Sequence, residues 1–409
     1  MITPLPKVPT PNSCSDFRPI SITSILSRTF EKLIINFFVY PLFAVSSVKQ
    51  LFLDQFAFRP TGSTDAALIC LLHHISTSLQ NQPYVRVIAL DFSKAFDTVR
   101  HSTTLTNLAS LPLSDQIYNW FVNFFQDHSH CTRFLGSLSS SRTINASVFQ
   151  GSVVGPPMYM IASMNLKPLY SGNYLDKYAD DTYLIIPASN SSTVAAELNS
   201  IERWAERNNL KLNVSKSQEM IIYASSHAKT KHPSIDSTPG IDRVQTLKIL
   251  GVLVTSNLSM SEHVEAVCQT AARSLYAIKM LSSRGMNLDT AHVICQATVV
   301  SRLLYAAPAW WGFARGEFKR RLQSILNRAI RWGFYKDNGP SLSEICEIRE
   351  ERLFSSILAN PDHVLYQFLP PEKHSIYNLR KRGHNRELPQ KNNAFLARNF
   401  FMRMLYKDI

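Results

Sequence analysis

The sequence predicts a mixed α+β fold, and three observations predict it. An apolar, β-prone run, Val85-Arg86-Val87-Ile88-Ala89-Leu90, closes on Asp91. A second such run, Lys177-Tyr178-Ala179-Asp180-Asp181-Thr182-Tyr183-Leu184-Ile185-Ile186, carries two adjacent carboxylates in its middle, as a hairpin turning at Asp-Asp would. Apolar residues also recur at helical spacing, as Val194, Leu198, Ile201 and Ala205 and again as Val264, Val267, Ala271, Leu275, Ile278 and Leu281.

Taken in order, a Pro-rich opening leads to a helical pattern from about Ile22 to Tyr40. Phe56 to Thr64 reads as a turn, Asp65 to Leu79 as a helix, and the strand ending at Asp91 follows. The chain is then mostly helical to about residue 125, and polar with short strand-like pieces over 126–150. Gln150 to Pro157 is a turn into an apolar helix running to about Tyr170. After the Asp-Asp hairpin, Ser192 can cap a helix that stops at Asn208-Asn209. Leu210 to Val214 and Glu219 to Tyr223 read as short strands, 224–240 as a polar linker, and Thr246 to Val254 as one further strand. Helix is expected from Glu262 to about 335.

The chain has 409 residues, 45% hydrophobic and 11% aromatic, which allows a sizeable core in two or three domains and argues against wholesale disorder. A net charge of +13 suits a polyanionic partner. No two of the six cysteines are closer than 27 residues, which excludes a CxxC zinc site, and a disulfide framework is not expected in a chain of this size, so a reducing, intracellular setting (cytoplasmic or nuclear) is expected. The amino terminus lacks a basic-then-apolar signal, and the most apolar window, Leu33 to Val45, is too short to span a bilayer, so no membrane partner is expected. Residues 371–409 hold nine Lys and Arg against three Asp and Glu, with Tyr377, Phe395, Phe400, Phe401 and Tyr406 interleaved. Such a tail is either a solvated end or a nucleic-acid contact, and it has enough apolar residues to pack as a helix.

Carboxylates wedged into apolar runs are costly unless a cation occupies the site, and oxygen donors suit a divalent metal. Asp91 and Asp180 are the best candidate ligands. Neighbours on a strand point to opposite faces, so Asp181 joins them only if the turn redirects it. An Asp-Asp hairpin turn with no metal explains Asp180 and Asp181 but leaves Asp91 unexplained. Carboxylates from separate strands that hold two divalent ions are what phosphoryl transfer to a primer hydroxyl requires.

The order of motifs resembles the reverse transcriptase of non-LTR (LINE-like) retrotransposons. Ser15-Asp16-Phe17-Arg18-Pro19-Ile20-Ser21 resembles a fingers motif, and Gln55-Phe56-Ala57-Phe58-Arg59-Pro60 with Ser63-Thr64 the additional finger motif of the non-LTR branch. Ala89 to Asp97 is similar to the first catalytic motif, Gln150 to Pro156 to the template- and nucleotide-contacting motif, and Tyr178-Ala179-Asp180-Asp181 to the central one. Leu212 to Ser217 and Leu247-Lys248-Ile249-Leu250-Gly251-Val252 resemble the next two, the latter the primer grip. Each is weak alone; seven in order over residues 7–252 are specific.

The resemblance implies a right-hand polymerase: fingers and an antiparallel-sheet palm over 1–240, primer grip (Leu250, Gly251) and helical thumb over 241–335, and a basic extension over 336–409. It implies that Asp91, Asp180 and Asp181 bind two Mg²⁺ ions, with Mn²⁺ as a substitute. Phe96 would lie under the sugar and reject a 2′-hydroxyl, favouring dNTPs. Lys7 and Arg18 would meet the triphosphate, Gln150 and Gly151 the nucleotide and template. Lys216 would protonate, or only neutralise, the departing pyrophosphate. The implied partners are an RNA template, a DNA primer or target, and dNTPs. Phe96, with Ala179 where viral RNA-dependent RNA polymerases usually carry glycine, argues against that class. Phe149, Ala57, Pro157 and Met158 depart from the family pattern and could displace the helix after Pro156. The amino-terminal endonuclease that many LINE-like elements carry is absent from this chain, which suggests a truncated element. The alternative is a degenerate, inactive relic that at most binds RNA.

Overall fold

The computed structural model describes residues 1–147, 149–373, 383–391 and 393–407. Helices and strands interleave along the chain, as an α+β fold requires. A five-stranded sheet runs in the order Asp242–Arg243, Gln218–Tyr223, Tyr84–Leu90, Asp181–Pro187, Tyr174–Tyr178. A separate antiparallel hairpin pairs Ile2–Pro6 with Phe17–Ser21. Among the described residues no helix is long and apolar enough to cross a membrane.

The chain divides into two compact units, the first built from residues 1–63, 89–184 and 192–217 and the second from 64–88, 185–191 and 218–409. The first unit has its core between the helix Ile25–Ile34 with the turns after it, the helix Asp115–Phe125 and the helix Gly155–Ala162. Phe149, which departs from the family pattern, is buried there, stacked on His128 at 4.0 Å and packed against Phe124 and Phe125. Pro156 and Pro157 sit in the first turn of the helix Gly155–Ala162, where a missing N–H costs nothing, so that helix takes in the last three residues of the expected turn.

That helix ends at Ala162 rather than running to Tyr170. The Asn107 amide donates to the terminal carbonyls of Ile161 and Ala162 at 3.0 and 3.2 Å and closes it. Thr193 holds the N-cap position of the helix Val194–Arg207 without a side-chain capping bond, and Ser192 lies inside the short 3-10 turn before it. Asn208 and Asn209 stop it, Asn209 in the left-handed region at φ +59°. Leu210 to Val214 is not a strand: only Leu212 pairs, with Phe92, because the chain turns at Asn213.

In the second unit the segment 224–240 is not all linker, since Ser225 caps a short helix, Ser226–Lys231. The run Thr246 to Val254 is two strands, Thr246–Ile249 and Val252–Thr255, because Leu250 and Gly251 both take positive φ, +46° and +86°, and fold it into a tight hairpin. Glu219, fully buried, receives the guanidiniums of Arg86 and Arg243 and the Thr238 hydroxyl. The end of the chain is packed: Phe400 and Phe401 are buried, and Asn399 donates to Ser76 Oγ at 2.9 Å on the helix Thr64–Ser78. Those two rings are therefore closed to bases. Tyr377 lies outside the described residues.

Candidate active site

The strand Tyr84–Leu90 delivers Asp91 to its end. The turn from Asn213 to Ser217 then fastens the backbone there. Asn213 N–H donates to the Asp91 carbonyl at 2.8 Å, Asp91 N–H donates to Ser217 Oγ at 3.2 Å, and that hydroxyl donates to the Asn213 carbonyl at 2.9 Å. Ser217 is fully buried, while Lys216 beside it is exposed and faces the same cleft as Asp91.

The hairpin between Tyr174–Tyr178 and Asp181–Pro187 turns on Ala179 and Asp180, one residue earlier than the Asp-Asp turn read from sequence. Ala179 takes φ +58°, a conformation costly for any residue with a Cβ. It is held by Gln55, 1% exposed, whose Oε1 accepts the N–H of Ala179 and that of Ala57, both at 3.1 Å. The backbone joins in, with Lys177 N–H donating to the Asp54 carbonyl and Phe56 N–H to the Lys177 carbonyl. Lys177 itself is buried. Its ammonium donates to the Ser163 and Leu166 carbonyls at 3.0 and 2.9 Å and lies 3.3 Å from Asp54, and burial pulls its pKa down to about 8.

Because the turn takes up Ala179 and Asp180, strand alternation does not force the two aspartates apart. Asp91 and Asp180 line one cleft of about 730 Å³. Asp181 opens the next strand and is exposed. Desolvation, then the charges of Asp180 and Asp91, push the Asp181 carboxyl up to about 6, and Asp180 is raised by desolvation and by Asp91. Among the described residues no Lys, Arg or His pairs with any of the three. Asp91 and Asp180 line the cleft and Asp181 does not, and unpaired carboxylate oxygens of this kind suit a hard divalent cation.

The same cleft is lined by Lys7, Arg18, Phe96, Gln150, Gly151 and Lys216. Lys7 follows the strand Ile2–Pro6, with its ammonium donating to the Ser15 carbonyl at 2.9 Å; Arg18 projects, exposed, from the strand Phe17–Ser21. Gln150 donates to Asp97 Oδ1 at 2.8 Å, and its carbonyl accepts the Ser21 N–H at 2.6 Å. Gly151 has φ +112°, and a Cβ there would stand 2.3 Å from the Ser21 carbonyl oxygen. The close approach that requires glycine here is to the neighbouring strand, whereas the sequence suggested nucleotide and template. Phe96 is half-buried, stacked on Tyr159 with ring centres 4.4 Å apart and planes 19° apart.

Leu250 and Gly251 belong to the second unit. There the Tyr305 hydroxyl donates to the Leu250 carbonyl at 2.9 Å, and its ring lies 3.2 Å from where a Gly251 Cβ would stand. Sequence reasoning assigned no role to Gln55, Tyr159, Ser217 or Tyr305. Gln55 and Ser217 stood inside quoted motifs, so a signal existed; Tyr159 is one aromatic in an apolar helix and Tyr305 one in a helical stretch, and neither stands out locally.

The sequence profile of the reverse transcriptase (RNA-dependent DNA polymerase) family matches residues 5–254. The probable RNA-directed DNA polymerase from transposon BS of Drosophila melanogaster is 26% identical over 334 residues, covering 78% of this chain and 36% of that protein. The RNA-directed DNA polymerase from mobile element jockey of Drosophila funebris is 24% identical over 336 residues, covering 78% of this chain and 36% of that protein. The chain thus spans about a third of the length of these relatives. Among solved structures, telomerase from Candida tropicalis in complex with a fragment of telomeric RNA is similar with a TM-score of 0.44 and 12% identity, covering 82% of this chain and 59% of that one. With a family profile that runs from the strand Ile2–Pro6 through the Asp-Asp hairpin to the hairpin at Leu250, the chain belongs to the reverse transcriptase family, in its non-LTR, LINE-like branch.

Proposed function

We propose that this chain is the polymerase segment of a retrotransposon protein and extends a primer 3′-hydroxyl with dNTPs on an RNA template. The observation that carries the reading is the convergence of Asp91, at the end of one strand, and Asp180, in the turn of a hairpin, in one cleft with four cationic side chains (Lys7, Arg18, Lys94 and Lys216), none of them paired with either aspartate among the described residues. Asp91, Asp180 and Asp181 would hold two divalent ions, Mg²⁺ or Mn²⁺. A bound metal pair supplies the charge that activates the attacking hydroxyl and offsets the negative charge on the leaving group.

The chain's own residues do the rest. Lys7 and Arg18 receive the triphosphate, and the planar guanidinium suits two phosphate oxygens at once. Phe96 presents a ring face to the sugar. Gln150, tied down by Asp97 and Ser21, keeps the cleft wall in register for the base. In the reaction the primer oxygen bonds to the α-phosphorus as the bond to the bridging oxygen breaks, and Lys216 stands where it protonates or neutralises the pyrophosphate that departs. We read 1–240 as fingers and palm, 241–335 as primer grip and thumb, and 336–409 as a carboxy-terminal extension.

Primer extension on an RNA template with Mg²⁺ and dNTPs tests this. The wild-type chain should extend, and Asp180→Ala should reduce extension by at least about 10³-fold, given the size of metal-dependent rate effects. Equal extension by the variant would refute the assignment. A folded wild-type chain with no extension at all would instead favour the inactive relic.

A further inference from the structure

We infer that Tyr159 is a specificity-determining positioning residue: by holding the Phe96 ring in place it sets how strongly the cleft prefers 2′-deoxynucleotides. This deepens, and rests on, the reading of the cleft as a dNTP site.

Phe96 has little local support of its own. It sits in a single helical turn, Ala95–Thr98, entered through Lys94 in the left-handed region at φ +49°. One turn is too short to be stable alone. Yet a 2′-deoxynucleotide and its ribo counterpart differ by one hydroxyl, and an apolar wall that can yield rejects an added hydroxyl only about 10²-fold. A steric barrier therefore works only if something behind the ring stops it from moving.

Tyr159 is that support. It is 2% exposed, its ring is nearly parallel to Phe96 at 4.4 Å, and Phe58 meets Phe96 edge-on at 6.3 Å. Tyr159 is in turn fixed by its helix. Ser152 Oγ accepts the Gly155 N–H at 2.9 Å, the buried carboxylate of Glu31 accepts the Val153 N–H at 2.8 Å, and Asn107 closes the far end. Backing from a held aromatic ring is the usual way to keep a site residue within a fraction of an ångström of its working position. Burial and the nearby charges of Asp180 and Asp181 keep the phenol protonated, so the ring, not an ionised oxygen, is what Phe96 meets.

The test is the ratio of kcat/KM for dTTP to that for UTP, measured with the whole chain on a poly(rA) template with an oligo(dT) primer. Tyr159→Leu and Tyr159→Met should lower the ratio about 3- to 10-fold, the size of one lost aromatic pair. The change should enter through a lower KM for UTP, with kcat for dTTP within about twofold of wild type. Tyr159→Phe, which keeps the ring, should match wild type, and Phe96→Ala should lower the ratio furthest. A ratio unchanged in both Tyr159→Leu and Tyr159→Met while Phe96→Ala lowers it would overturn the inference and leave the gate standing. A ratio unchanged in Phe96→Ala would sink the gate itself. Should the chain bind nucleotides without turning over, the same ratio of dissociation constants, read by calorimetry with Ca²⁺ and primer–template, decides between the same outcomes.

Discussion

Asp181 is the most perturbed carboxylate of the cleft region, and its direction of shift makes a testable coupling. Its folded pKa is raised, to about 6 from 3.8, so its contribution to stability is fully present below 3.8 and lost as pH rises through 6. Above pH 6 the metal-free chain carries repelling charges that a divalent ion would quench. Mg²⁺ should therefore raise Tm clearly at pH 7.5 and little at pH 5, and a calorimetric scan at both values measures it. The opposite order, or a Tm indifferent to Mg²⁺ at both values, would mean that these carboxylates do not take up the ion. Residue identity was the most legible layer of the sequence here. Asp91 closes a β-prone run whose last four residues, Val87 to Leu90, are apolar, and the pair at 180–181 interrupts another, so both stood out against their surroundings. The turn on Ala179 was not legible, because nothing local marks an alanine for positive φ; Gln55, more than a hundred residues away, holds it there.

At the scale of elements, uncharged side chains hold the aspartates of the cleft. Gln55 satisfies a buried N–H, that of Ala57, and a half-buried one, that of Ala179, so Gln55→Met should leave both unpaired and cost about 2 kcal/mol. For a unit of this size that is a fall in Tm of about 4–8 °C, with a weaker apparent Mg²⁺ affinity if the turn carrying Asp180 loosens. A variant with wild-type Tm and Mg²⁺ response would show that the turn holds without it. In the second unit, Glu219 joins Arg86 and Arg243, and although burial opposes its charge, the Thr238 and arginine contacts win and lower its pKa. Glu219→Ala strands a buried Arg86 and should destabilise by about 3–5 kcal/mol, read by denaturant titration. Element type was read well where periodicity ran long, as in the helix Ser261–Ser282. It failed at Thr246 to Val254, a β-prone run in which Gly251 alone marked the turn. Leu250 carries no turn signal, and the Tyr305 hydroxyl that stabilises its conformation comes from 55 residues away.

For the molecule as a whole, charge sets the terms of binding. With a net charge of +13, association with an RNA–DNA duplex should be dominated by phosphate contacts and be nearly independent of sequence. If six or more phosphates are engaged, affinity should fall at least about 10³-fold between 50 and 200 mM salt, which anisotropy titrations would show. A flat salt response would remove the polyanion from the account. Charge was legible in the sequence, but its distribution was less so: the tail could be a solvated end or a nucleic-acid contact, with enough apolar residues to pack as a helix, and Phe400 and Phe401 are buried in the helix Phe400–Leu405. The claim on which all else depends is that Asp91 and Asp180 share a metal. Counting bound Mn²⁺ by electron paramagnetic resonance in the presence of a dNTP tests it most directly. Two ions should bind to the wild-type chain, with at least one lost in Asp91→Asn and in Asp180→Asn alike; the same Mn²⁺ count in all three proteins would contradict the account.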